Sequence, residues 1–233
     1  MQMSKDIKTP FGRISPEVSL IPIYYLIFIY GFVYIFPYGE NLIGVSWFDW
    51  LRSEDGPLEW LQFFEYVSSS ILALFIYVRR KKKKEINSLI WLMIAILSLL
   101  VAGEEISWGE RITGIGITSV SNLNVQGETN FHNLPFFHNY LLDPVFEISC
   151  IFLGWFGWRK FKKIDAFPSK ALSLYFLFVA LFYFYFDISW ASTTEQIRND
   201  QEIFELLLSS GIFIHCLENF RRNKPKWLIH KNI

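Results

Sequence analysis

Six apolar stretches, each about as long as the hydrocarbon core of a bilayer requires, constrain what this 233-residue chain can fold into. None of them alternates apolar and polar residues as a strand of a membrane barrel does, so each predicts a helix. The stretches lie near 18–38, 58–78, 88–108, 140–158, 171–190 and 202–220. Because the connections are short, apart from a long loop at 109–139, residues 1–233 are predicted to form a single all-α membrane domain, a polytopic helical bundle of about six transmembrane helices.

The charged residues are divided between the two sides of this predicted bundle, although the chain carries 22 basic and 22 acidic residues. Three basic residues precede the first stretch, six follow the second, five follow the fourth and five follow the sixth, so 19 of the 22 lie on one side. Seventeen of the 22 acidic residues lie on the other side. The positive-inside rule makes the basic side cytoplasmic. We therefore expect a multi-pass protein of a bacterial inner (plasma) membrane with both termini inside.

The lipid bilayer is the first partner that this pattern predicts. The basic runs at 79–84 and 158–163 are interpreted as topology determinants that also meet lipid head groups. No nucleic-acid partner is expected from them. The sequence leaves the oligomeric state open.

Acidic residues near the outer ends of the predicted spans are the first candidates for a functional site, since a charge at membrane depth is costly. They are Glu59, Glu65, Glu104, Glu105, Asp187, Glu202 and Glu205. The spacing would place Glu104 and Arg111 on one face if the third helix continued that far. We expect the bundle to gather these polar faces around one site that opens to the outer side.

The outer loop 109–139 combines carboxylate, amide and imidazole side chains. Its first half is rich in glycine, threonine and serine and predicts a small hairpin or a re-entrant turn. In its second half, Glu128 and His132 would be neighbours on a helical turn. With Glu105 and His138 they would offer a divalent metal ion a set of oxygen and nitrogen ligands, and the metal would activate a bound water. Alternatively, the histidines bind only loop backbone.

Three segments of the chain resemble a set of uncharacterised bacterial polytopic membrane proteins. They read EDGPLEW at 54–60, GEEISWGER at 103–111 and NVQGETNFHN at 124–133. The resemblance covers under half of the chain and implies a multi-pass topology and the position of a site, without an assigned activity.

A weaker likeness links the chain to CAAX-type intramembrane proteases, and the chain departs from two of that family's three motifs. Arg111 follows the Glu104–Glu105 pair at the wrong spacing, and no phenylalanine stands four residues before His132 or His138. The pair His215 and Asn219 fits the third motif but lies at the opposite predicted face. This likeness therefore does not imply that the chain uses the mechanism of that family.

These observations lead to the hypothesis of a membrane enzyme, metal-dependent or not, that acts on a lipid or lipid-linked substrate at the outer leaflet. Its predicted catalytic residues are Glu104, Glu105, Arg111 and Asp187. Residues predicted to surround the substrate are Glu59, Glu65, Asn130, Glu202 and Glu205. The paired glutamates would act as base or ligands, and Arg111 would bind an anionic head group.

Two other classes of function stay open from the sequence. The same carboxylates would suit a proton or cation transporter, although the almost uniformly apolar middles of the third and fifth spans disfavour a path through the bundle. A non-catalytic subunit that senses or docks a partner through the outer loop is the third possibility.

Overall fold

A computed structural model describes residues 7–9, 12–35, 49–53, 56–124, 127–132, 134–136, 142–189 and 200–222. Within these residues the protein is helical apart from a small antiparallel pair of strands, β1 Ile7–Thr9 and β2 Gly12–Ile14. The longer helices are α1 Pro16–Leu26, α2 Pro57–Lys82, α3 Ser88–Glu105, α4 Leu142–Ile151, α5 Ser173–Ser189 and α6 Gln201–Arg222. The predicted helical fold is confirmed.

Two of these helices continue beyond their regular part in a wider, π-helical form. Residues Ile27–Ile35 extend α1, and Phe152–Gly157 followed by Trp158–Lys160 extend α4. A single 3-10 turn, Lys170–Leu172, leads into α5. With these continuations, a helix coincides with each of the six apolar stretches of the sequence.

Charges at the helix ends follow the helix dipole in α2 and α6. Pro57 opens α2, where its missing N–H costs nothing, Glu59 lies in the first turn, and four basic residues fill the last turn. Helix α6 likewise has Glu202 in its first turn and two arginines in its last. The bundle therefore has an acid end, which carries Glu59, Glu105 and Glu202, and a basic end, which carries Arg80 and Arg222.

Helix α2 packs between α3 and α6 and uses small side chains to do so. Ser69, Ser70 and Ala73 of α2 are buried, as is Ala95 of α3. Ser70 donates a hydrogen bond to the Ala95 carbonyl oxygen at 2.8 Å. Small residues that let two backbones approach and a hydroxyl that bonds across the helices are typical of helix pairs in membranes.

Helix α5 packs against α1, α4 and α6, and glycines make two of these approaches possible. A Cβ at Gly211 of α6 would lie 2.8 Å from the Cβ of Tyr175, and one at Gly154 would lie 2.8 Å from the Cγ of Leu177. The rings of Phe182 and Phe204 stack with centroids 4.1 Å apart. These contacts hold α5 and α6 close together up to the acid end.

The outer surface of the bundle is apolar and its interior is partly polar. Phe64 of α2, Met93 of α3 and Leu181 of α5 are 58%, 60% and 61% exposed, whereas Gln62 and Ser69 are completely buried. Side chains of this kind are solvated by lipid rather than water, and polar groups face the inside of membrane bundles. The distribution supports a helical membrane protein.

Three of the described helices, α2, α3 and α6, are long and apolar enough to cross a membrane by length and composition. The helical segments Pro16–Gly31 and Lys170–Tyr185 are apolar but shorter.

The basic end is closed by a buried histidine. His215 stacks on Trp91 with ring centroids 5.3 Å apart, and its Nε2 lies 3.1 Å from the carbonyl oxygen of Ala166. Asp165, which immediately precedes Ala166, forms an ion pair with Arg80. His215 therefore anchors the connection between α4 and α5, and it lies far from the acid end.

Candidate functional site

After Glu105 the chain leaves α3 through a left-handed turn. Ser107, Trp108 and Gly109 have φ angles of 45°, 54° and 94°, a conformation that costs energy for residues with a side chain. Trp108 folds back over α3, where a Cβ at Gly103 would lie 3.1 Å from its ring. The turn sends the following loop back across the acid end.

Glu104 anchors this loop to the end of α3. Its Oε1 accepts a hydrogen bond from Trp108 Nε1 at 2.5 Å. Its Oε2 accepts the backbone N–H groups of Phe131 at 2.7 Å and His132 at 2.9 Å, and lies 3.1 Å from His132 Nδ1. Because α3 ends at residue 105, it does not continue far enough for Glu104 and Arg111 to share one helix face.

Glu128 forms a second anchor within the loop. Its Oε2 accepts hydrogen bonds from Ser107 Oγ at 2.8 Å, Asn130 Nδ2 at 2.9 Å and Arg111 Nη2 at 3.3 Å. The prediction that Glu128 and His132 adjoin on a helical turn is wrong, because this segment is not helical and the two side chains have different partners. Asn130, completely buried, helps to position Glu128.

Arg111 links the loop to two helices. Its Nη1 lies 2.5 Å from Glu59 Oε1 of α2 and donates to the backbone carbonyl of Glu105 at 2.9 Å. Together with its bond to Glu128, these contacts direct the guanidinium toward protein oxygens. The anionic head group that the sequence analysis assigned to Arg111 stays a prediction.

The first half of the loop consists of two single helical turns, Glu110–Thr113 and Thr118–Ser121. The predicted hairpin is therefore wrong for these residues, and the alternative of a re-entrant turn stays a prediction. Thr129 ties the two halves together, because its N–H donates to Glu110 Oε2 and its Oγ1 accepts from the N–H of Ile117, both at 2.7 Å.

Glu105 lies among carboxylates from two other helices. Glu59 of α2 and Glu202 and Glu205 of α6 are within electrostatic reach of it, as is Arg111. No described residue donates a hydrogen bond to the Glu105 carboxylate, in contrast to Glu104 next to it. Four of the sequence-selected glutamates thus interact electrostatically at the acid end.

Residues of α2, α5 and the loop complete this acidic cluster. Glu202 Oε2 accepts a hydrogen bond from Gln62 Nε2 at 2.9 Å, and Glu205 Oε1 accepts one from Tyr183 Oη at 2.5 Å. His132 is within electrostatic reach of Glu205. Tyr183 was missed by the sequence reasoning, since one hydroxyl in an aromatic stretch gives no signal of its own.

Of three other predicted site residues, the structure describes the side chain of Glu65 but not those of Asp187 and His138. Glu65 lies deeper, where Ser209 and Ser210 bind its carboxylate. Asp187 lies in the last turn of α5, and His138 is outside the described residues. Among the residues that the structure describes, no three or more His, Cys, Asp and Glu side chains are grouped to hold a metal ion.

A buried arginine at the acid end was also missed. Arg52 is 1% exposed and pairs with Asp200, just before α6, and with Asp49 at 2.8 Å. Tyr30 of the α1 continuation donates to the same Asp200 at 3.2 Å. Its position in the sequence could have identified it, since Arg52 is one of only three basic residues on the predicted acidic side.

The fold and this site define a helical membrane protein with a glutamate-rich cluster at one end of its bundle. Comparison of the chain with protein-family models, with curated proteins and with solved structures found no match. The resemblance to bacterial polytopic membrane proteins stays a prediction.

Proposed function

We propose that the protein is a six-span enzyme of a bacterial inner membrane, with both termini in the cytoplasm, that acts on a lipid or lipid-linked substrate at the outer leaflet. In this proposal Glu105 is the acid–base group. The observation that supports this role is a difference in hydrogen bonding: the Glu104 carboxylate accepts several hydrogen bonds, whereas among the described residues none donates to the Glu105 carboxylate.

Both glutamates stand at the C-terminal end of α3, where the helix dipole disfavours negative charge. For Glu104 the cost is offset by hydrogen bonds from Trp108, Phe131 and His132. Those bonds occupy its oxygens and give it a structural role. Glu105 has no such bonds among the described residues, so its carboxylate is available for proton transfer.

The neighbours of Glu105 suit this role. Carboxylates held close together in a weakly solvated site share protons, which is how paired acids divide the work of general acid and base. Glu205 is the partner on α6, and His132 stands near it as a further proton carrier. Arg111 keeps Glu59 in place and limits the net charge of the cluster.

Exposed aromatic side chains around the acid end support a lipid substrate. Trp108 and Phe131 are each 44% exposed, and their rings pack edge to face with centroids 5.9 Å apart. Trp50 is 53% exposed in the same region of the fold. Aromatic rings of this kind lie at the level of lipid head groups, which would present a substrate directly to the acidic cluster.

A divalent metal would add a Lewis acid to this chemistry, but the described residues lend the metal-dependent version no support. Glu128 and His132 are held by Ser107 and Glu104 in separate parts of the loop. The proposal therefore assigns the chemistry to the carboxylates.

The test is mass spectrometry of all lipids extracted from cells that produce the wild-type protein, Glu105→Gln or Glu218→Gln. Glu218 pairs with Arg222 at the basic end and serves as the matched control. We expect one lipid class to be converted by the wild type and the control, and conversion to fall about 100- to 10,000-fold in Glu105→Gln. Identical lipid profiles in all three strains, with equal amounts of folded protein, would rule out the enzyme.

A proton or cation transporter is the second candidate, because Glu105 interacts electrostatically with three other carboxylates and with one guanidinium. Such an excess of negative charge suits cation binding as well as catalysis. Flux into liposomes that contain the purified protein distinguishes the two, since the transporter reading requires flux that Glu105→Gln abolishes.

A further inference from the structure

Glu65 lies inside the bundle, away from the acidic cluster. It stands eight residues after the start of α2, and Ser209 stands eight residues after the start of α6. With a rise of 1.5 Å per residue, both are about 12 Å from the acid end. The two side chains meet between parallel helices, well within the thickness of a bilayer core.

Hydroxyl groups surround the Glu65 carboxylate. Ser209 Oγ donates to Oε2 at 2.6 Å, and Ser210 Oγ lies 3.0 Å from both carboxylate oxygens. Ser69 donates to the backbone carbonyl of Glu65 at 2.7 Å, which leaves the carboxylate to the two α6 serines. Four oxygen atoms from two helices therefore converge at one place.

A charge of this kind needs a counter-ion. Among the described residues, no lysine, arginine or histidine pairs with Glu65, which is partly buried. Hydroxyl donors alone do not neutralise a carboxylate at membrane depth. Among the described residues, the phenols of Tyr66 and Tyr175 are within electrostatic reach of Glu65, and a phenol carries no positive charge.

Gln62 offers one more oxygen on the same face of α2. It is completely buried, its Nε2 is bonded to Glu202, and its Oε1 has no hydrogen-bond partner among the described residues. Gln62 and Glu65 are three positions apart in the helix, so their side chains are neighbours on its surface. A buried acceptor without a donor is costly unless a cation or a water molecule satisfies it.

We propose that Glu65, Ser209 and Ser210, with the side-chain oxygen of Gln62, form a binding site for a small monovalent cation, Na⁺. One carboxylate among neutral oxygens balances one positive charge, whereas a divalent ion would leave a net charge inside the bilayer. Oxygen ligands suit a hard cation. The proton competes for the same carboxylate, so Na⁺ and H⁺ exclude each other. This site does not depend on the activity assigned to Glu105.

Dicyclohexylcarbodiimide tests the proposal, because it reacts with protonated carboxyl groups in apolar surroundings. The purified full-length protein is treated in choline chloride, NaCl, KCl or MgCl₂ of equal ionic strength, and the adduct is located by peptide mass spectrometry. We expect an adduct on Glu65 whose formation slows about tenfold when Na⁺ reaches ten times its dissociation constant. Choline and Mg²⁺ should give no such protection.

Variants keep the test specific. In Ser209→Ala and Ser210→Ala the adduct should still form while Na⁺ protection weakens, and Ser98→Ala, a buried serine on α3, should behave as the wild type. Gel filtration verifies that each variant is folded. A rate of Glu65 labelling that is the same with and without Na⁺ would overturn the proposal in favour of a proton site. Stronger protection by Mg²⁺, or no labelling of Glu65 in folded protein, would overturn it as well.

Discussion

Glu104 and His132, 28 residues apart in the chain, are joined twice, because Glu104 Oε2 accepts the backbone N–H of His132 at 2.9 Å and lies 3.1 Å from its Nδ1. One carboxylate thus fixes both the backbone and the ring of a loop residue. The loop has a defined position over the acid end because the end of α3 itself holds it there.

Replacing Glu104 should loosen this loop without unfolding the bundle. In Glu104→Gln the amides of Phe131 and His132 lose a charged acceptor, and each such bond contributes about 1.5–3 kcal/mol. We expect hydrogen exchange at these two amides to accelerate at least about tenfold. Exchange in α2 should be unchanged, and equal acceleration throughout the chain would contradict the assignment of Glu104 as a local anchor.

Loss of Arg111 should destabilise the protein because it leaves Glu59 and Glu128 without their cation. We expect Arg111→Ala to lower the free energy of unfolding by about 3 kcal/mol, measured by unfolding in mixed micelles. The double variant Arg111→Ala/Glu59→Gln should recover part of that loss, since one uncompensated charge is removed. Simple additivity of the two changes would contradict a direct interaction.

The buried pair of Arg52 and Asp200 should be a strong contact between the segment before α2 and the start of α6. Arg52→Ala is expected to lower the free energy of unfolding by about 3–5 kcal/mol, because the buried Asp200 loses its ion pair with Arg52. Asp200→Asn should cost less, since the amide keeps a hydrogen-bond acceptor. A double-mutant cycle measures the coupling, and a value near zero would refute the contact.

The proposed orientation predicts which side of the membrane each end faces. Ile115 in the outer loop is 79% exposed and Ile86 between α2 and α3 is 93% exposed, whereas the native Cys150 and Cys216 are buried. In intact spheroplasts a membrane-impermeant maleimide should label Ile115→Cys but not Ile86→Cys. Permeabilised membranes should show labelling of both. The reverse pattern in spheroplasts would invert the topology.

The positions of the helices were predictable from the sequence because apolar length is a local property. The stretches at 58–78, 88–108 and 202–220 lie within or end close to α2, α3 and α6. The end of α3 was predicted three residues too far, since Ile106, Ser107 and Trp108 continue the pattern by composition. Only the left-handed turn, which depends on Trp108 packing over Gly103, ends the helix.

The site was predictable in outline but not in the roles of its residues. Acids at span ends pointed to Glu105 and Glu202, because charge near a bilayer is visible in a sequence. Which glutamate is an anchor depends on contacts between distant segments, such as Glu104 with Phe131. Helical periodicity carries no information about such contacts. The same limit explains why Arg52 and Tyr183 were not selected.

In the cation site that we propose, the depth of Glu65 would make occupancy sensitive to the membrane voltage. A cation that reaches this residue from the acid end has travelled about 12 Å of a hydrocarbon core of about 30 Å. One elementary charge that crosses the whole membrane gains or loses about 2.3 kcal/mol per 100 mV, so this partial path corresponds to roughly 0.9 kcal/mol per 100 mV. In the proposed orientation, a membrane potential of about 100 mV, negative inside, would therefore raise the affinity of the site for the cation about fivefold.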